Sequence, residues 1–278
     1  MRIRLWGTRG SLASPGPETA RYGGNTSCVE VRAADGTLLV LDAGTGIRAL
    51  GAVLEPTCRR VNVLLTHLHM DHIQGLGFFA PLFQPGVEVH LWGPTRGPLD
   101  LRGQLARYLS PPLFPVHLRE VPTLVLHDVP AGEFAIGALR VTAAPVCHPG
   151  ATVGYRIAGP AGVVTYLSDH EPALGVPHFP LAPEWTSGWE LARGADLLIH
   201  DAQYTRDEYA THVGWGHSAI DDAIAFAALA RVKRLVTFHH DPSHDDDEVE
   251  CITLAGIRAA APEFPVSAGA EGDTFDLG

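Results

Sequence analysis

The segment LLTHLHMDHIQG packs His67, His69, Asp71 and His72 into six consecutive positions after an apolar run. Neutral imidazole and carboxylate are suitable ligands for zinc and similar divalent ions. In an extended strand end His67 and His69 face one way, because side chains repeat every two residues. A helix starting near Ile73 would let Asp71 and His72 face a second point. One segment therefore supplies half of the ligands for two adjacent metal ions.

The simpler explanation of this segment is a hydrogen-bonded histidine cluster at a strand end, without metal. The full pattern T-H-x-H-x-D-H-x-x-G is far more specific than a lone pair of histidines, which favours a metal site. The segment also limits the local fold, since it requires a short buried strand, residues 61–65, that delivers the ligands at its carboxyl end.

Apolar and alternating runs predict nine strands, at 2–6, 27–33, 37–44, 61–65, 138–146, 152–158, 162–168, 195–201 and 234–240. Helical spacing predicts helices over 46–54, 218–232 and 245–261, and Asp245 with Glu248 resembles a capping box. The Pro-rich segment 93–122 is expected to hold a short helix and then an irregular flap. Strands followed by a helix, occurring twice, predict an α/β architecture of two packed sheets with helices outside, in one domain spanning 1–278.

Composition restricts the partners. The net charge is −11 and Lys233 is the single lysine, which argues against a surface that tracks long nucleic acid. Charged residues make up 18% and apolar residues 46%, so a folded chain with a sizeable core is expected. No run approaches the roughly 18 uncharged apolar residues that span a bilayer, and the first residues do not resemble a signal peptide. We therefore expect a cytoplasmic protein with no membrane partner, whose cysteines are free thiols: Cys28, Cys58, Cys147 and Cys251.

The ligand segment matches the signature of the metallo-β-lactamase-fold hydrolases, and the resemblance extends over most of the chain. It implies an αββα sandwich of two mixed β-sheets flanked by helices. Later ligands in that superfamily are a histidine on a mid-chain loop, a bridging aspartate after a strand and a histidine after a late strand. This sequence offers His148 in APVCHPG, Asp169 in TYLSDH and His239 in LVTFHHDP, with His240 as the alternative to His239.

The resemblance implies two divalent metal ions per chain, with zinc as the first expectation and manganese or iron as alternatives. The implied ligands form two groups that share one bridging carboxylate: His67, His69 and His148 for the first ion, Asp71, His72 and His239 for the second, and Asp169 for both. Asp42 in LDAGTG matches a position that usually buttresses the ligand loop; a plain turn aspartate is the alternative.

The segments HDAQY and GWGHSAIDDAIAFA are similar to segments of ribonuclease Z and its phosphodiesterase relatives, in which an acidic residue partners a histidine. The matching residues are Asp201 and His217, whereas Gln203 and Ala219 depart from the usual threonine. We expect Ser218 to cap the following helix, which would place His217 at the positive helix end and let it donate a proton to the departing oxygen. The alternative role of His217 is capping and loop packing.

The opening segment WGTRGSLASPGPETARYGGNTSCVEV is similar to bacterial proteins of the same phosphodiesterase-like group. Its glycines are expected to bring backbone N–H groups close to the site. The carboxylate of Asp169, at a position where the true β-lactamases have another residue type, argues against β-lactam hydrolysis.

The resemblance therefore implies a hydrolase that cleaves a small or cyclic phosphodiester with a hydroxide held by the two metal ions, and with Asp71, His217 and Asp201 as catalytic residues. The chain has no segment like the long basic arm with which ribonuclease Z grips transfer RNA, so the expected partner is a small molecule. Two alternatives stay open: a hydrolase of esters, thioesters or lactones on the same metals, and a non-catalytic metal-binding sensor or scaffold. A homo-oligomer is also left open. Several histidines lack ligand spacing and receive no role: His90, His117, His127, His178 and His212.

Overall fold

Two seven-stranded β-sheets form the frame of the protein in a computed structural model that describes residues 1–95, 97–130, 132–175, 179–180 and 182–278. In chain order the strands are β1 (Arg2–Gly7), β2 (Cys28–Arg32), β3 (Leu38–Leu41), β4 (Arg60–Leu64), β5 (Glu88–Gly93), β6 (Leu124–Asp128), β7 (Gly132–Ile136), β8 (Leu139–Pro145), β9 (Val153–Gly159), β10 (Gly162–Leu167), β11 (Leu197–Asp201), β12 (Leu235–Phe238), β13 (Val266–Ala268) and β14 (Thr274–Asp276). The first sheet has the order β14-β1-β2-β3-β4-β5-β6 and the second the order β13-β12-β11-β10-β9-β8-β7.

Seven α-helices lie in the described ranges: α1 (Ile47–Val53), α2 (Met70–Ile73), α3 (Leu101–Leu105), α4 (Trp189–Ala192), α5 (Arg206–His212), α6 (Ile220–Leu229) and α7 (Asp246–Ala260). Short 3-10 turns occupy Pro17–Thr19, Leu76–Phe78, Ala80–Phe83, Leu118–Glu120 and Pro183–Trp185. Among the residues described, none of the helices is long and apolar enough to cross a membrane.

The core consists of three apolar layers. The inner faces of both sheets meet in a fully buried cluster that includes Leu5, Tyr155 and Phe238. A second cluster fills the space between the outer face of the first sheet and helices α1 and α3, and a third lies between the second sheet and helices α4 and α6. This is the helix-sheet-sheet-helix order that the sequence predicted, because each sheet must bury both of its faces.

Parallel pairing determines where the polar residues converge. Strands β3 to β6 run parallel in the first sheet, and β10 to β13 run parallel in the second. Five of these strands, β3, β4, β10, β11 and β12, end at or just before a site residue: Asp42, His67, Asp169, Asp201 and His239. The carboxyl ends of parallel strands share one edge of a sheet, so the two sheets bring these residues to one rim of the sandwich.

The predicted elements differ from the structure in several places, and helices α4 and α5 were not predicted. Strands β5, β6, β7, β13 and β14 were not predicted, since they are short or carry partly exposed side chains. Helix α2 begins at Met70 and ends at Ile73, so the expectation of a helix starting near Ile73 is wrong. Helix α6 begins at Ile220, not at 218, and its N-cap is Ala219.

Two further predictions concern the cap of α7 and the Pro-rich segment. The Asp245 carboxylate accepts a hydrogen bond from the backbone N–H of Glu248, which confirms one half of the predicted capping box at the start of α7. The segment 93–122 holds the short helix α3 followed by irregular chain, as expected, with Arg96 outside the described residues. His178, to which no role was given, also lies outside them. The assignment of 1–278 to a single domain stays a prediction.

Candidate metal centre

The loops after β4 and β8 carry the first group of candidate ligands. Ring nitrogens of His67, His69 and His148 lie within 4.8 Å of one another. His148 comes from the loop after β8, and its Nε2 atom is 3.2 Å from Nδ1 of His69. The structure thus brings together the three residues that the family resemblance implies for one metal ion.

The second group lies directly beside the first. Ligand atoms of Asp71, His72, Asp169 and His239 fall within 4.8 Å of one another, and all four side chains are buried. The Asp169 carboxylate adjoins both groups, with Oδ1 3.0 Å from Nε2 of His72 and Oδ2 3.7 Å from Nε2 of His67. Asp169 therefore lies between the two groups, and its role as a bridging ligand stays a prediction.

Asp42 determines which nitrogen of His72 faces this group. Its fully buried carboxylate accepts hydrogen bonds from Thr66 N–H at 2.7 Å and from the Tyr166 hydroxyl at 2.9 Å, and Nδ1 of His72 lies 2.8 Å from its Oδ2. With the proton on Nδ1, the neutral ring turns a bare Nε2 lone pair toward Asp169. These contacts favour the interpretation that Asp42 supports the ligand loop, and not that it is a plain turn aspartate.

Unpartnered atoms test whether a divalent ion suits these residues. Nε2 of His67 is buried and has no hydrogen-bond partner among the described residues, and the buried Nε2 of His72 and Oδ1 of Asp169 have none besides each other, at 3.0 Å. Buried polar atoms without partners are costly, and a neutral His72 ring would also turn an electron pair toward the carboxylate of Asp169, which is repulsive. A divalent cation relieves both penalties, so the donor set fits a metal.

The close contact between carboxylates and imidazole rings in the second group also shifts their pKa values. Burial alone would raise the pKa of Asp169, but the His239 and His72 rings hold it well below its usual range. Burial alone would lower the pKa of His239, yet the carboxylates of Asp169 and Asp71 raise it to about 9. The imidazole of His148 behaves differently, because burial lowers its pKa to about 4. The carboxylates are therefore ionised, and a metal at the second group would compete with protons on its histidines.

Between the two adjacent histidines after β12, the structure places His239 in the second group. Its Nε2 atom lies 3.2 Å from Oδ2 of Asp71 and 3.3 Å from Oδ2 of Asp169. Nε2 of His240 instead donates to the carbonyl of Gly269 at 2.9 Å. The backbone φ of His239 is +61°, an uncommon value for a non-glycine residue, and it lets neighbouring side chains diverge.

The opening segment reaches the same group. The backbone N–H of Ser11 donates to Oδ2 of Asp71 at 2.9 Å. Gly10 allows this approach, since a Cβ atom there would lie 2.4 Å from Nδ1 of His239. The expectation that glycines of this segment bring backbone N–H groups to the site is therefore confirmed at Gly10 and Ser11.

His217 and Asp201 form a pair at the edge of the two groups. Nδ1 of His217 lies 2.7 Å from Oδ2 of Asp201 and 4.0 Å from Oδ2 of Asp169. Asp201 is fully buried and also accepts from the backbone N–H groups of Ser218 and Gln203, both at 3.0 Å. The predicted partnership of Asp201 and His217 therefore exists as a contact.

The predicted reason for the position of His217 is wrong. Ser218 does not cap α6; its hydroxyl donates to the carbonyl of His170, and the N-cap Ala219 has no side-chain cap. His217 therefore precedes the first helical residue, Ile220, by three positions. The field of a helix end fades within one turn, so Asp201, not the helix, orients the ring.

Sequence reasoning missed two residues that touch the candidate ligands or their loops. Gln203 accepts from Nδ1 of His239 through Oε1 at 2.9 Å and donates to Asp241 at 3.0 Å, which directs Nε2 of His239 into the second group. Its departure from threonine in the HDAQY segment was the available signal. Glu171 binds the loop before His217, and its position next to the SDH segment gave no signal of its own.

Comparison with known proteins bears on this arrangement. The family model described as "Beta-lactamase superfamily domain" matches residues 37–240, a range that contains every candidate ligand. The chain belongs to this family. Membership in this superfamily indicates a hydrolase with a site for divalent metal, which agrees with the donor set described above.

Similar proteins extend the match beyond that range. An uncharacterized protein from Mycobacterium leprae is 30% identical over 295 residues, covering 100% of this chain and 89% of the relative. Ribonuclease Z from Natronomonas pharaonis is 25% identical over 322 residues, covering 100% of this chain and 98% of the relative. The structure of the metallo-β-lactamase fold protein YhfI from Bacillus subtilis matches with a TM-score of 0.71 and 18% identity over 99% of both chains. The predicted fold and the resemblance to ribonuclease Z are confirmed.

Proposed function

We propose that this protein is a metal-dependent phosphodiesterase that acts on a small or cyclic phosphodiester. The observation that carries the proposal is the His217–Asp201 pair, which lies beside Asp169 with a 2.7 Å contact between Nδ1 and the carboxylate. Hydrolysis of a phosphodiester must neutralise a departing alkoxide, whereas a thioester or an activated ester releases a stable anion that needs no separate proton donor. The similarity to ribonuclease Z over the whole chain also supports phosphodiester chemistry.

The candidate ligands would hold two divalent ions, with zinc as the first choice and manganese or iron as alternatives: His67, His69, Asp71, His72, His148, Asp169 and His239. When bound, such ions supply positive charge to the phosphoryl oxygens and an acidified water as nucleophile.

The protein's own residues would orient and transfer the proton. Asp201 accepts from Nδ1 of His217, which fixes the ring, and in the doubly protonated ring the second proton, on Nε2, would pass to the leaving oxygen. Asp71 accepts the backbone N–H of Ser11 on Oδ2, so this carboxylate is held in place and can orient the attacking water. Asp201 also accepts from the backbone N–H groups of Ser218 and Gln203, which hold its carboxylate in place beside His217.

Charge favours a small substrate. A net charge of −11 argues against a surface that could neutralise many phosphates. A single phosphodiester needs only local positive charge, which the metal ions would provide. A small or cyclic phosphodiester therefore fits the chain better than a long RNA.

The test is hydrolysis of bis(p-nitrophenyl) phosphate by the zinc-loaded and manganese-loaded protein, beside Asp71→Ala. Turnover that the variant loses supports the proposal and leads to cyclic nucleotides and short RNAs as the next substrates. No turnover by protein that holds two metal ions contradicts it, and esters, thioesters and lactones then come first. Metal analysis that finds far fewer than two ions per chain would instead favour the non-catalytic sensor.

A further inference from the structure

Glu171 is a buried carboxylate in an unusual setting. It follows β10 by four residues, is 2% exposed, and has no lysine or arginine within 4.0 Å among the residues that the structure describes. Its partners are the Tyr209 hydroxyl, at 2.6 Å, and two backbone N–H groups, of Gly214 at 3.0 Å and of Gly216 at 2.9 Å. Burying an ionised group without a counterion is unfavourable, so packing alone gives no reason for a carboxylate here.

The two backbone donors belong to one specially shaped loop. Gly214 and Gly216 have φ values of +85° and +90°, which is the left-handed region that glycine adopts without strain. Their N–H groups turn to the same side and form a concave anion site, of the kind that binds phosphate in other proteins. Here the occupant is the side chain of Glu171.

This loop touches the candidate metal centre on both sides of Gly216. The carbonyl of Gly216 accepts a hydrogen bond from Nδ1 of His148 at 2.9 Å, which leaves Nε2 of that ring facing His69. The next residue, His217, is bound to Asp201. A Cβ atom at Gly216 would lie 2.2 Å from Nδ1 of His148, so the loop and the ring fit closely.

The backbone of Glu171 adds a third connection. Its N–H donates to the carbonyl of Cys147 at 3.0 Å, directly before His148. Glu171 thus joins the chain after Asp169, the loop of His148 and the loop of His217. Ligand atoms of these three residues lie within 4.8 Å of one another, and Glu171 contacts the segments that carry them.

We propose that Glu171 is a positioning residue that sets the relative placement of His148 and His217. It acts through Gly216 and touches neither the candidate ligand atoms nor the place of the substrate. The expected effect of Glu171 on kcat rests on the proposed phosphodiesterase activity. The expected effect on the Nδ1 proton of His148, which Glu171 would hold in place, does not depend on the substrate.

The experiment compares Glu171→Gln with Tyr209→Phe in the zinc-loaded protein. The glutamine keeps the size of the side chain but loses the charge and one of the acceptors that serve the loop. Tyr209→Phe is the matched control, since it removes a hydroxyl from the same carboxylate and leaves both loop contacts intact. Two properties are measured: the NMR signal of the His148 Nδ1 proton, and kcat and KM for bis(p-nitrophenyl) phosphate.

For Glu171→Gln we expect the His148 Nδ1 proton to exchange rapidly or disappear, while the Nδ1 proton of His72, held by Asp42, stays visible as an internal reference. We expect kcat to fall by about 10- to 100-fold and KM to stay within about twofold, as for other residues that orient a ligand. Tyr209→Phe should keep both signals and nearly the full kcat.

Wild-type kcat and an unchanged His148 signal in Glu171→Gln would overturn the proposal. Equal losses in both variants would also overturn it, because they would reflect general loosening of this region. If Glu171→Gln does not fold, Glu171→Asp serves instead: it keeps the charge but is too short to reach both N–H groups, and it should lose the same signal. If the wild type hydrolyses no phosphodiester, the proposed function fails, and the NMR comparison alone decides the role of Glu171.

Discussion

Nδ1 of His72 lies 2.8 Å from Oδ2 of Asp42, while Nε2 of the same ring lies 3.0 Å from Oδ1 of Asp169. A neutral ring that donates to Asp42 therefore presents a lone pair to a second carboxylate. Two acceptors at this distance repel each other unless a cation or a proton lies between them. The side of His72 that faces the candidate metal is thus fixed by Asp42, which itself lies outside the ligand group.

Asp42→Asn should weaken zinc binding. The amide holds the Nδ1 proton of His72 less well and no longer raises the basicity of the ring, so we expect a loss of about 10- to 100-fold in affinity. Competition with a chromophoric chelator measures it. The control is Glu133→Gln, which removes an exposed carboxylate from β7 and should leave the affinity unchanged. Equal affinities for all three proteins would contradict the orienting role of Asp42.

His217→Ala should lower kcat by about 100- to 10,000-fold on phosphodiesters with a poor leaving group. The loss should be smaller for bis(p-nitrophenyl) phosphate, whose nitrophenolate departs without a proton. His212→Ala is the control, because that ring packs on Tyr204 outside both ligand groups. Metal content is measured in parallel. Equal losses for the two leaving groups would rule out proton donation by His217, and full activity on both would show that the His217–Asp201 pair takes no part in hydrolysis.

His200 should make the protein less stable in acid. Burial lowers the pKa of this ring from 6.5 to about 4; it contacts Nδ1 of His170 at 2.9 Å and the carbonyl of Asp201 at 2.6 Å. The unfolded chain therefore binds a proton before the folded one does, and stability falls as the pH drops from the ordinary pKa toward the lowered one. At about pH 5 the expected loss is about 2 kcal/mol relative to about pH 7.5.

Denaturant unfolding of the wild type and of His200→Gln at the two pH values checks this expectation. Glutamine does not titrate, so the pH dependence of the free energy of unfolding should be smaller in the variant by the amount given above. Acid release of metal affects both proteins alike and cancels in the comparison. Parallel pH profiles would show that His200 does not contribute.

Asp245→Ala should reduce the free energy of unfolding by about 1 kcal/mol, because it removes the acceptor for the Glu248 N–H group at the start of α7. Asp245→Asn is the matched control, since asparagine caps helices nearly as well as aspartate. Thermal or denaturant unfolding of the two variants measures the difference. A loss of the same size in both would indicate that charge near the helix end, and not the cap, provides the stabilisation.

The sequence by itself determined the features that depend on neighbours along the chain. The spacing of His67, His69, Asp71 and His72 identified half of the candidate metal centre, and alternating apolar residues predicted the strands that carry most of the rest. The cap at Asp245 was predictable for the same reason: a side chain and an N–H group three residues apart meet whatever the remainder of the fold does.

Only the tertiary structure decided the contacts between distant segments. It decided that His239 and not His240 faces Asp169, that Asp42 turns His72, and that Gln203 and Glu171 support the ligand loops. It also showed that Ser218 does not cap α6. The physical reason is that these contacts depend on which strands are adjacent in the two sheets and on left-handed backbone conformations at their ends. Neither is encoded in the local alternation of apolar and polar residues.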